Sequence, residues 1–259
     1  MTRLNKIAIS GKGGVGKTTL AALLAHIYAE QERSVIAIDA DPAGGLAEAL
    51  GMPSDLAAQV TPVAEMEDLI YERTGAKPGT SGGFFSLSPR VDDIPDRFSV
   101  PYRGIRFLRL GTIESGGSGC ICPESALLRA LVTHLLLYRD DMMILDMEAG
   151  VEHLGRATAQ AVDAFLVVIE PGRRSLTTAE RVRDLARDIG IDRVYAVGNK
   201  VRGESDWAFM QDSTPVPLLG YFSANPELTE ADLRGEGVFD AAPRAVEEAR
   251  AIVDALEAL

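Results

Sequence analysis

The chain has 259 residues, of which 46% are hydrophobic and 25% are charged, and its formal net charge is −12. This length and composition suit a globular protein with a sizeable buried core. No stretch of about eighteen apolar residues occurs, and the N-terminus leads directly into a predicted strand, so neither a membrane span nor a signal peptide is expected. The negative charge disfavours broad contact with nucleic acid or anionic lipid. We therefore predict a cytoplasmic protein that binds no nucleic acid and no membrane.

A glycine-rich loop lies between a predicted strand at residues 7–9 and a predicted helix that begins at Lys17. Strand, loop and helix in this order form the context that a phosphate-binding loop requires. Backbone N–H groups and the helix N-terminus would surround an anion, Lys17 would reach the β and γ phosphates, and the Thr18 hydroxyl would coordinate Mg²⁺. The predicted nucleotide-binding residues of the loop are Gly11, Gly13, Gly14, Val15, Gly16, Lys17, Thr18 and Thr19.

The loop also carries a second lysine, Lys12, directly after its first glycine. This pattern resembles the deviant Walker A motif of the superfamily that contains MinD, ParA and the nitrogenase iron protein. The resemblance implies an ATPase that acts as a homodimer. It also implies that Lys12 crosses the dimer interface and offsets charge on the partner's phosphates, as an arginine finger does.

Two aspartates follow the second predicted strand, Ser34 to Ala40. Asp39 and Asp41 belong on one side of an extended chain, at the strand end where open α/β sheets bind ligands. A turn role for Asp41 before Pro42 is the alternative. The resemblance implies that Asp41 is the switch I aspartate, which positions the attacking water, and that Asp39 lies nearer the metal.

A third acidic strand end is predicted at Met142 to Met147, where Asp146 closes an apolar run. Such a strand end is common by itself. In order after the phosphate loop and Asp41, it resembles Walker B joined to switch II. The resemblance implies that Asp146 holds Mg²⁺ through water and that the Gly150 amide senses the γ-phosphate.

Another polar pair, Asn199 and Lys200, follows a predicted strand at Arg193 to Asn199. In the superfamily that this chain resembles, an Asn-Lys pair at this place lies against the nucleobase. The resemblance implies that the Asn199 amide bonds adenine, and hence that the nucleotide is ATP or ADP.

The remaining elements alternate between strands and helices. Strands are predicted at 104–111, 164–170 and 216–222, and helices from Pro123, at 175–189 and at 242–259. This alternation predicts an α/β fold, a mainly parallel sheet with helices on both faces, of the MinD-like P-loop NTPase class. We predict one ATPase domain over residues 1–259, with an irregular insertion at about 52–103.

The only two cysteines, Cys120 and Cys122, are separated by one residue. Pro123 and Glu124 are typical of a helix N-terminus, where the helix dipole is expected to lower the pKa of the Cys122 thiol. Two thiolates cannot complete a tetrahedral or square-planar metal site, but a symmetric dimer supplies four. The alternative is a pair of small buried side chains.

Residues 119–124 and 146–156 resemble the CooC-type maturation ATPases, which support nickel insertion into carbon monoxide dehydrogenase and related enzymes. The resemblance implies a homodimer that binds one Ni²⁺ or Zn²⁺ ion through Cys120 and Cys122 of both subunits. It also implies a nickel metalloenzyme client such as carbon monoxide dehydrogenase. Residues 52–103 have no residue-by-residue match to the family, so the recognition of a partner stays open.

Two other functions compete with this one. A positional ATPase switch of the MinD or ParA kind predicts a basic amphipathic tail, whereas residues 242–259 are acidic. An iron–sulfur carrier resembling the nitrogenase iron protein would use two well-separated cysteines per chain, unlike the spacing here.

Overall fold

Eight strands form a single sheet in the computed structural model, which describes residues 4–80, 84–111, 122–148 and 161–259. The strands are β1 (Lys6–Gly11), β2 (Val35–Ala40), β3 (Val100–Tyr102), β4 (Ile105–Arg109), β5 (Met142–Met147), β6 (Ala164–Ile169), β7 (Val194–Val201) and β8 (Leu218–Ser223). Their order is β3-β4-β2-β5-β1-β6-β7-β8. All neighbours are parallel except β3 and β4, so the predicted mainly parallel sheet is confirmed.

Helices cover both faces of this sheet, as predicted. The α-helices of the described residues are α1 (Lys17–Glu30), α2 (Leu46–Ala49), α3 (Ser54–Ala57), α4 (Glu67–Thr74), α5 (Ile94–Phe98), α6 (Pro123–Tyr138), α7 (Arg173–Asp188), α8 (Glu204–Ser213), α9 (Pro226–Arg234), α10 (Val238–Ala241) and α11 (Pro243–Glu257). Buried residues of α1, α10 and α11 share one core cluster, and those of α4, α6, α7 and α8 share the other. None of the helices among these residues is long and apolar enough to cross a membrane.

The alternation of side chains along each strand explains why both faces are apolar. Ile7 and Ile9 of β1 belong to the α1 side of the core, while Ala8 between them belongs to the α6 side. Successive side chains of a strand point to opposite faces, so a strand with helices on both sides needs a continuous apolar run. This is the pattern that made the central strands predictable.

The parallel topology determines where the functional residues lie. In a strand–helix–strand unit the helix runs antiparallel to its strands, so it begins at their carboxyl edge. The N-termini of α1 and α6 therefore lie at the same edge of the sheet as the carboxyl ends of β1, β2, β4 and β5. The phosphate loop, the aspartates and Cys122 are all connected to this edge.

The structure corrects the prediction that residues 52–103 are irregular. This segment contains α3, α4, α5, a 3₁₀ turn at Val63–Glu65 and the edge strand β3. The predicted strand at 104–111 is the second arm of a hairpin whose turn, Arg103-Gly104, has φ values of 47° and 80°. Two successive residues with positive φ form a type I′ turn. The typical sequence of this turn is Asn-Gly, so Arg-Gly did not predict it. The three-residue strand β3 also contains a proline, and both features hide an edge strand from pattern analysis.

Other boundaries differ at the far edge of the sheet. The strand predicted to end at Asn199 continues to Val201, with an irregular register against β8. Helices α8, α9 and α10 were not predicted. The predicted helices at 175–189 and 242–259 are confirmed as α7 and α11, with shifted ends.

The contact between Gly51 and Gly237 gives a test of the packing between α2 and α10. A Cβ atom on Gly51 would lie 2.8 Å from the Gly237 Cα, and Gly51 has φ +77°. We predict that Gly51→Ala lowers the free energy of unfolding by the left-handed strain of about 1–2 kcal/mol plus about 1–3 kcal/mol of overpacking.

Gly75→Ala is the matched control for urea unfolding, since Gly75 has φ +82° but no neighbour within 4 Å of an added Cβ. It should show the strain cost alone. Equal losses for the two variants would contradict the close packing.

Candidate nucleotide-binding site

The phosphate loop depends on glycine for two distinct reasons. Gly14 and Gly16 have φ values of +72° and +101°, which side chains rarely allow. At Gly11 an added Cβ would lie 2.6 Å from the Val168 carbonyl oxygen of β6, so the neighbouring strand requires glycine there. Lys12 follows as an exposed side chain, whereas Lys17 is buried.

The buried carboxylate of Asp146 lies beside the first turn of α1. The Thr18 hydroxyl donates a hydrogen bond of 2.6 Å to Asp146 Oδ2. Asp146 is fully buried, and its Oδ1 atom has no hydrogen-bond partner among the described residues. An orphaned buried carboxylate oxygen is costly by itself, and a divalent cation would satisfy it.

Asp41 takes the turn role considered for it from the sequence and also pairs with Lys17, while its role in positioning water stays a prediction. Its Oδ2 atom pairs with the Lys17 ammonium at 3.5 Å, and both side chains are largely buried. Its Oδ1 atom accepts a 2.9 Å hydrogen bond from the Ala43 N–H, which closes a turn after Pro42. The turn therefore holds Asp41 beside the lysine of the phosphate loop.

Asp39, at the end of β2, holds the same turn through hydrogen bonds to its backbone. It is 1% exposed and lies opposite Asp146 in the parallel register of β2 and β5. Its two oxygens accept hydrogen bonds from the backbone N–H groups of Asp41 (3.2 Å) and Leu46 (3.4 Å). Asp39 thus connects the strand to the beginning of α2.

Burial dominates the electrostatics of this carboxylate pair. It raises the pKa of Asp146 to about 7, with Asp39 adding to the rise and the Thr18 hydrogen bond opposing it. Burial likewise raises the pKa of Asp39 to about 6, against the lowering effect of its two backbone hydrogen bonds and of the Arg109 charge. Two adjacent buried carboxylates favour a neutralising cation at this edge.

Hard oxygen donors of this kind fit Mg²⁺. The residues that would hold the ion are Thr18 and Asp146, with Asp39 close by in register. Bound there with a nucleotide, the ion would neutralise charge on the phosphates.

Asn199 and Lys200 hold the phosphate loop from the β7 side. The Asn199 amide donates to the Val15 carbonyl at 2.6 Å and accepts from the Lys200 N–H at 2.8 Å. The Lys200 ammonium donates to the Gly14 carbonyl at 2.9 Å and also pairs with Glu170. In this structure the described hydrogen bonds of Asn199 go to the loop and its own strand, and its predicted contact with adenine stays a prediction.

A cavity of about 820 Å³ opens beside the loop. Its lining includes Gly16, Thr19, Asn199 and residues 223–226 at and after the end of β8. This volume lies within the range of small-molecule and cofactor sites. Sequence reasoning missed the contribution of the segment after β8, because no motif marks it.

Cys122 lies at the N-cap of α6, as predicted, and is 8% exposed. The expected lowering of its pKa is wrong for this structure, because burial raises the pKa of the Cys122 thiol and outweighs the hydrogen bonds to Ser125. Cys120 and Gly150 lie outside the described residues, so their predicted roles stay predictions. Over the described ranges, no group of three or more His, Cys, Asp or Glu side chains could hold a metal ion.

Arg109 is a site residue that sequence reasoning missed. It ends β4 and pairs in register with Asp39. The only sequence signal was a charged residue at the end of a strand whose neighbours are apolar.

The fold and the site define a P-loop nucleotide-binding protein. Residues 6–238 match the CobQ/CobB/MinD/ParA nucleotide-binding domain family. Solved structures with the same fold include MinD from Aquifex aeolicus (TM-score 0.63, 20% identity, covering 96% of this chain and 97% of that one). They also include a ParA family ATPase from Chlorobium tepidum (TM-score 0.68, 17% identity, 99% of each chain).

Curated relatives narrow the class. The chain is 44% identical over 252 residues to the carbon monoxide dehydrogenase accessory protein CooC of Rhodospirillum rubrum, covering 97% of this chain and 95% of that protein. It is 43% identical over 236 residues to an ATP-binding protein of Methanocaldococcus jannaschii, covering 90% of each. The chain therefore belongs to the CobQ/CobB/MinD/ParA family and, within it, to the group that includes CooC. It is an ATPase, and the predicted resemblance is confirmed.

The raised pKa of Asp146 gives a prediction for the protein without nucleotide and Mg²⁺. Its pKa is about 7 in the fold against an ordinary value of 3.8, so the folded state binds more protons between about pH 4 and 7. Stability should therefore fall as the pH rises through this window. We predict that Asp146→Asn raises the free energy of unfolding at pH 8 by about 4 kcal/mol, at about 1.4 kcal/mol per pKa unit.

Asp141→Asn is the control with the opposite sign. Against the cost of burial, hydrogen bonds from Ser34 and Arg139 lower the pKa of Asp141, so its loss should destabilise the protein above pH 4. Urea unfolding of both variants at pH 5 and pH 8 checks the pair. A loss of stability at pH 8 in Asp146→Asn would contradict the burial argument.

Proposed function

We propose that this chain is an ATP-hydrolysing metallochaperone that supports nickel insertion into carbon monoxide dehydrogenase or a related nickel enzyme. One observation carries the proposal: the similarity to a carbon monoxide dehydrogenase accessory protein extends over nearly the whole chain. The pair Cys120 and Cys122 supplies soft ligands that suit Ni²⁺ or Zn²⁺ as cargo.

The nucleotide edge is the carboxyl edge of the sheet, which carries the phosphate loop, Asp39, Asp41 and Asp146. Its residues would have separate roles in ATP hydrolysis. Lys17, which pairs with Asp41 in this structure, would contact the β and γ phosphates, and Thr18 with Asp146 would hold Mg²⁺. Asp41, held beside Lys17, would position the attacking water, and the Gly150 amide would sense the γ-phosphate. With ATP bound, the Lys17–Asp41 pair would open because the phosphates compete for the ammonium.

We further propose that the adenine lies in the cavity beside Asn199. The cavity adjoins the phosphate loop, as the nucleoside end of a bound nucleotide requires. Residues 1–259 would form one ATPase domain, and the segment 52–103 would lie over the nucleotide face or a partner. A cytoplasmic location would keep Cys120 and Cys122 reduced.

The proposed active form is a homodimer. Lys12 is exposed, in contrast to the buried Lys17, so it is free to reach a second subunit. Cys122 lies at the N-terminus of α6, on the sheet edge that also carries the phosphate loop. A dimer formed across this edge would bring two CxC pairs together, and four thiolates complete one metal site.

Such an arrangement couples the nucleotide to the metal. If ATP closes the dimer and closure assembles the four-sulfur site, ATP raises metal affinity, and metal must stabilise the ATP-bound dimer by the same factor. The deciding experiment is a titration with Ni²⁺ and with Zn²⁺, with and without ATP, that follows mass and metal stoichiometry together. One ion per dimer supports the proposal, and one ion per monomer or none opposes it.

The first prediction of this proposal concerns the cysteines. Replacing both Cys120 and Cys122 with Ser should abolish Ni²⁺ binding, because hydroxyl groups are poor ligands for this ion. Monomer affinity for ATP should stay within about twofold, since the phosphate loop is unchanged. Equilibrium dialysis with Ni²⁺ and nucleotide fluorescence measure the two quantities, and Glu124→Gln is the neighbouring control. Stoichiometric nickel retained by the double variant would refute the ligand assignment.

The second prediction concerns Lys12. Lys12→Ala should lower kcat for ATP by about 10³-fold, as loss of a trans-acting cation does. ATP affinity of the monomer should change little. The exposed Lys77→Ala is the matched control for loss of one surface charge. Turnover equal to that of the control would remove the trans-acting role.

A further inference from the structure

Arg109 takes part in a row of three charged residues at the nucleotide edge. The registers of β4, β2 and β5 place Arg109 beside Asp39, and Asp39 beside Asp146. Ile105 and Phe107, at alternate positions before Arg109, face the α1 side of the core. The Arg109 side chain therefore leaves the sheet on the side of α1 and the phosphate loop.

The guanidinium of Arg109 lies directly against the loop that carries Asp41. A Cβ atom on Gly44 would lie 2.7 Å from Arg109 Nη2 and 3.2 Å from Cζ. Gly44 has φ +71° and Gly45 has φ +113°, so the turn depends on glycine at both positions. The guanidinium of Arg109 packs against this turn. Gly45 in turn approaches Thr18, with 4.0 Å between an added Cβ and the threonine methyl group.

Arg109 also differs from the structural arginines of this protein. Arg106, three residues earlier on β4, pairs with Asp96 and Asp141 at 2.6 and 2.5 Å. The Nε atom of Arg109 is buried without a hydrogen-bond partner among the residues that the structure describes. Among the described residues Arg109 forms no salt bridge, although Asp39 and Asp146 follow it in register, so the stability of the fold does not explain its place there.

We propose that Arg109 is a positioning residue for ATP hydrolysis. Its guanidinium supports the turn from Asp41 to Gly45 and supplies positive charge next to the Asp39–Asp146 pair. It acts through Asp41, and this part rests on the proposed role of Asp41 in positioning water. Asp39 holds the turn through backbone hydrogen bonds, and Arg109 limits its movement at Gly44.

The test is the separation of kcat from ATP binding in Arg109→Gln. Displacing a water-positioning group should lower kcat by about tenfold or more, while ATP affinity changes by less than about threefold because the phosphate loop is intact. Arg109→Lys keeps the charge but not the planar fork, so its kcat should lie between those of wild type and Arg109→Gln.

Arg106→Gln is the matched control, because it removes an arginine from the same strand. It breaks two ion pairs, so it should lower thermal stability while leaving kcat within about twofold at a temperature where the protein is folded. If Arg109→Gln also keeps kcat within about twofold, the inference is overturned.

Two further variants test the contact between Arg109 and the turn and the role of Asp41 separately. Gly44→Ala should lower kcat as well, since the added Cβ would displace the turn or the guanidinium, and it is read in place of Arg109→Gln if that variant does not fold. Asp41→Asn separates the hypotheses. Loss of kcat in Asp41→Asn alone overturns the inference about Arg109, whereas unchanged kcat in Asp41→Asn overturns the proposed role of Asp41.

Discussion

The nucleotide edge depends on one constraint, the placement of Asp39 directly opposite Asp146 in the register of β2 and β5. Two adjacent carboxylates in a nearly dry environment repel one another, and burial disfavours the charge of each. The sheet maintains this cost because both strands are apolar up to these residues and cannot shift without exposing the core. The neighbouring cations follow from the same constraint. Lys17 faces Asp41, Arg109 faces Asp39, and an ion bound at Thr18 would complete the neutralisation.

The parts of the site that were predictable are those encoded within a few residues. The phosphate loop, the strand ends at Asp39 and Asp146, and the start of α6 each carry a local signal. Parallel topology then places them at one edge. The order of motifs along the chain added more than any one motif, because an aspartate after an apolar strand is common by itself.

The parts that were missed depend on tertiary contacts. The pairing of Arg109 with Asp39 follows from strand register, which no single segment encodes. The pKa of Cys122 was predicted from the helix terminus alone, whereas burial determined its direction. Asn199 was assigned to the nucleobase by resemblance; its amide donates to the Val15 carbonyl in this structure, and the adenine contact stays a prediction. For Cys122 and Asn199 a local pattern identified the residue, whereas no local pattern identified Arg109. In all three cases the surrounding structure determined what the side chain contacts.

The order of elements along the chain connects the nucleotide site with the cysteines that we propose as metal ligands. β4 ends at Arg109, whose guanidinium contacts the Gly44 turn, and α6 begins one residue after Cys122. Cys120 lies in the sequence between these two described positions, Arg109 beside the Gly44 turn and Cys122 at the start of a core helix. A bound phosphate would take the place of Asp41 as the partner of the Lys17 ammonium. Asp41 would then be released, and the contact between its turn and the Arg109 guanidinium would change. Because coupling between two ligands is reciprocal, metal held by the cysteines would bias this turn in return.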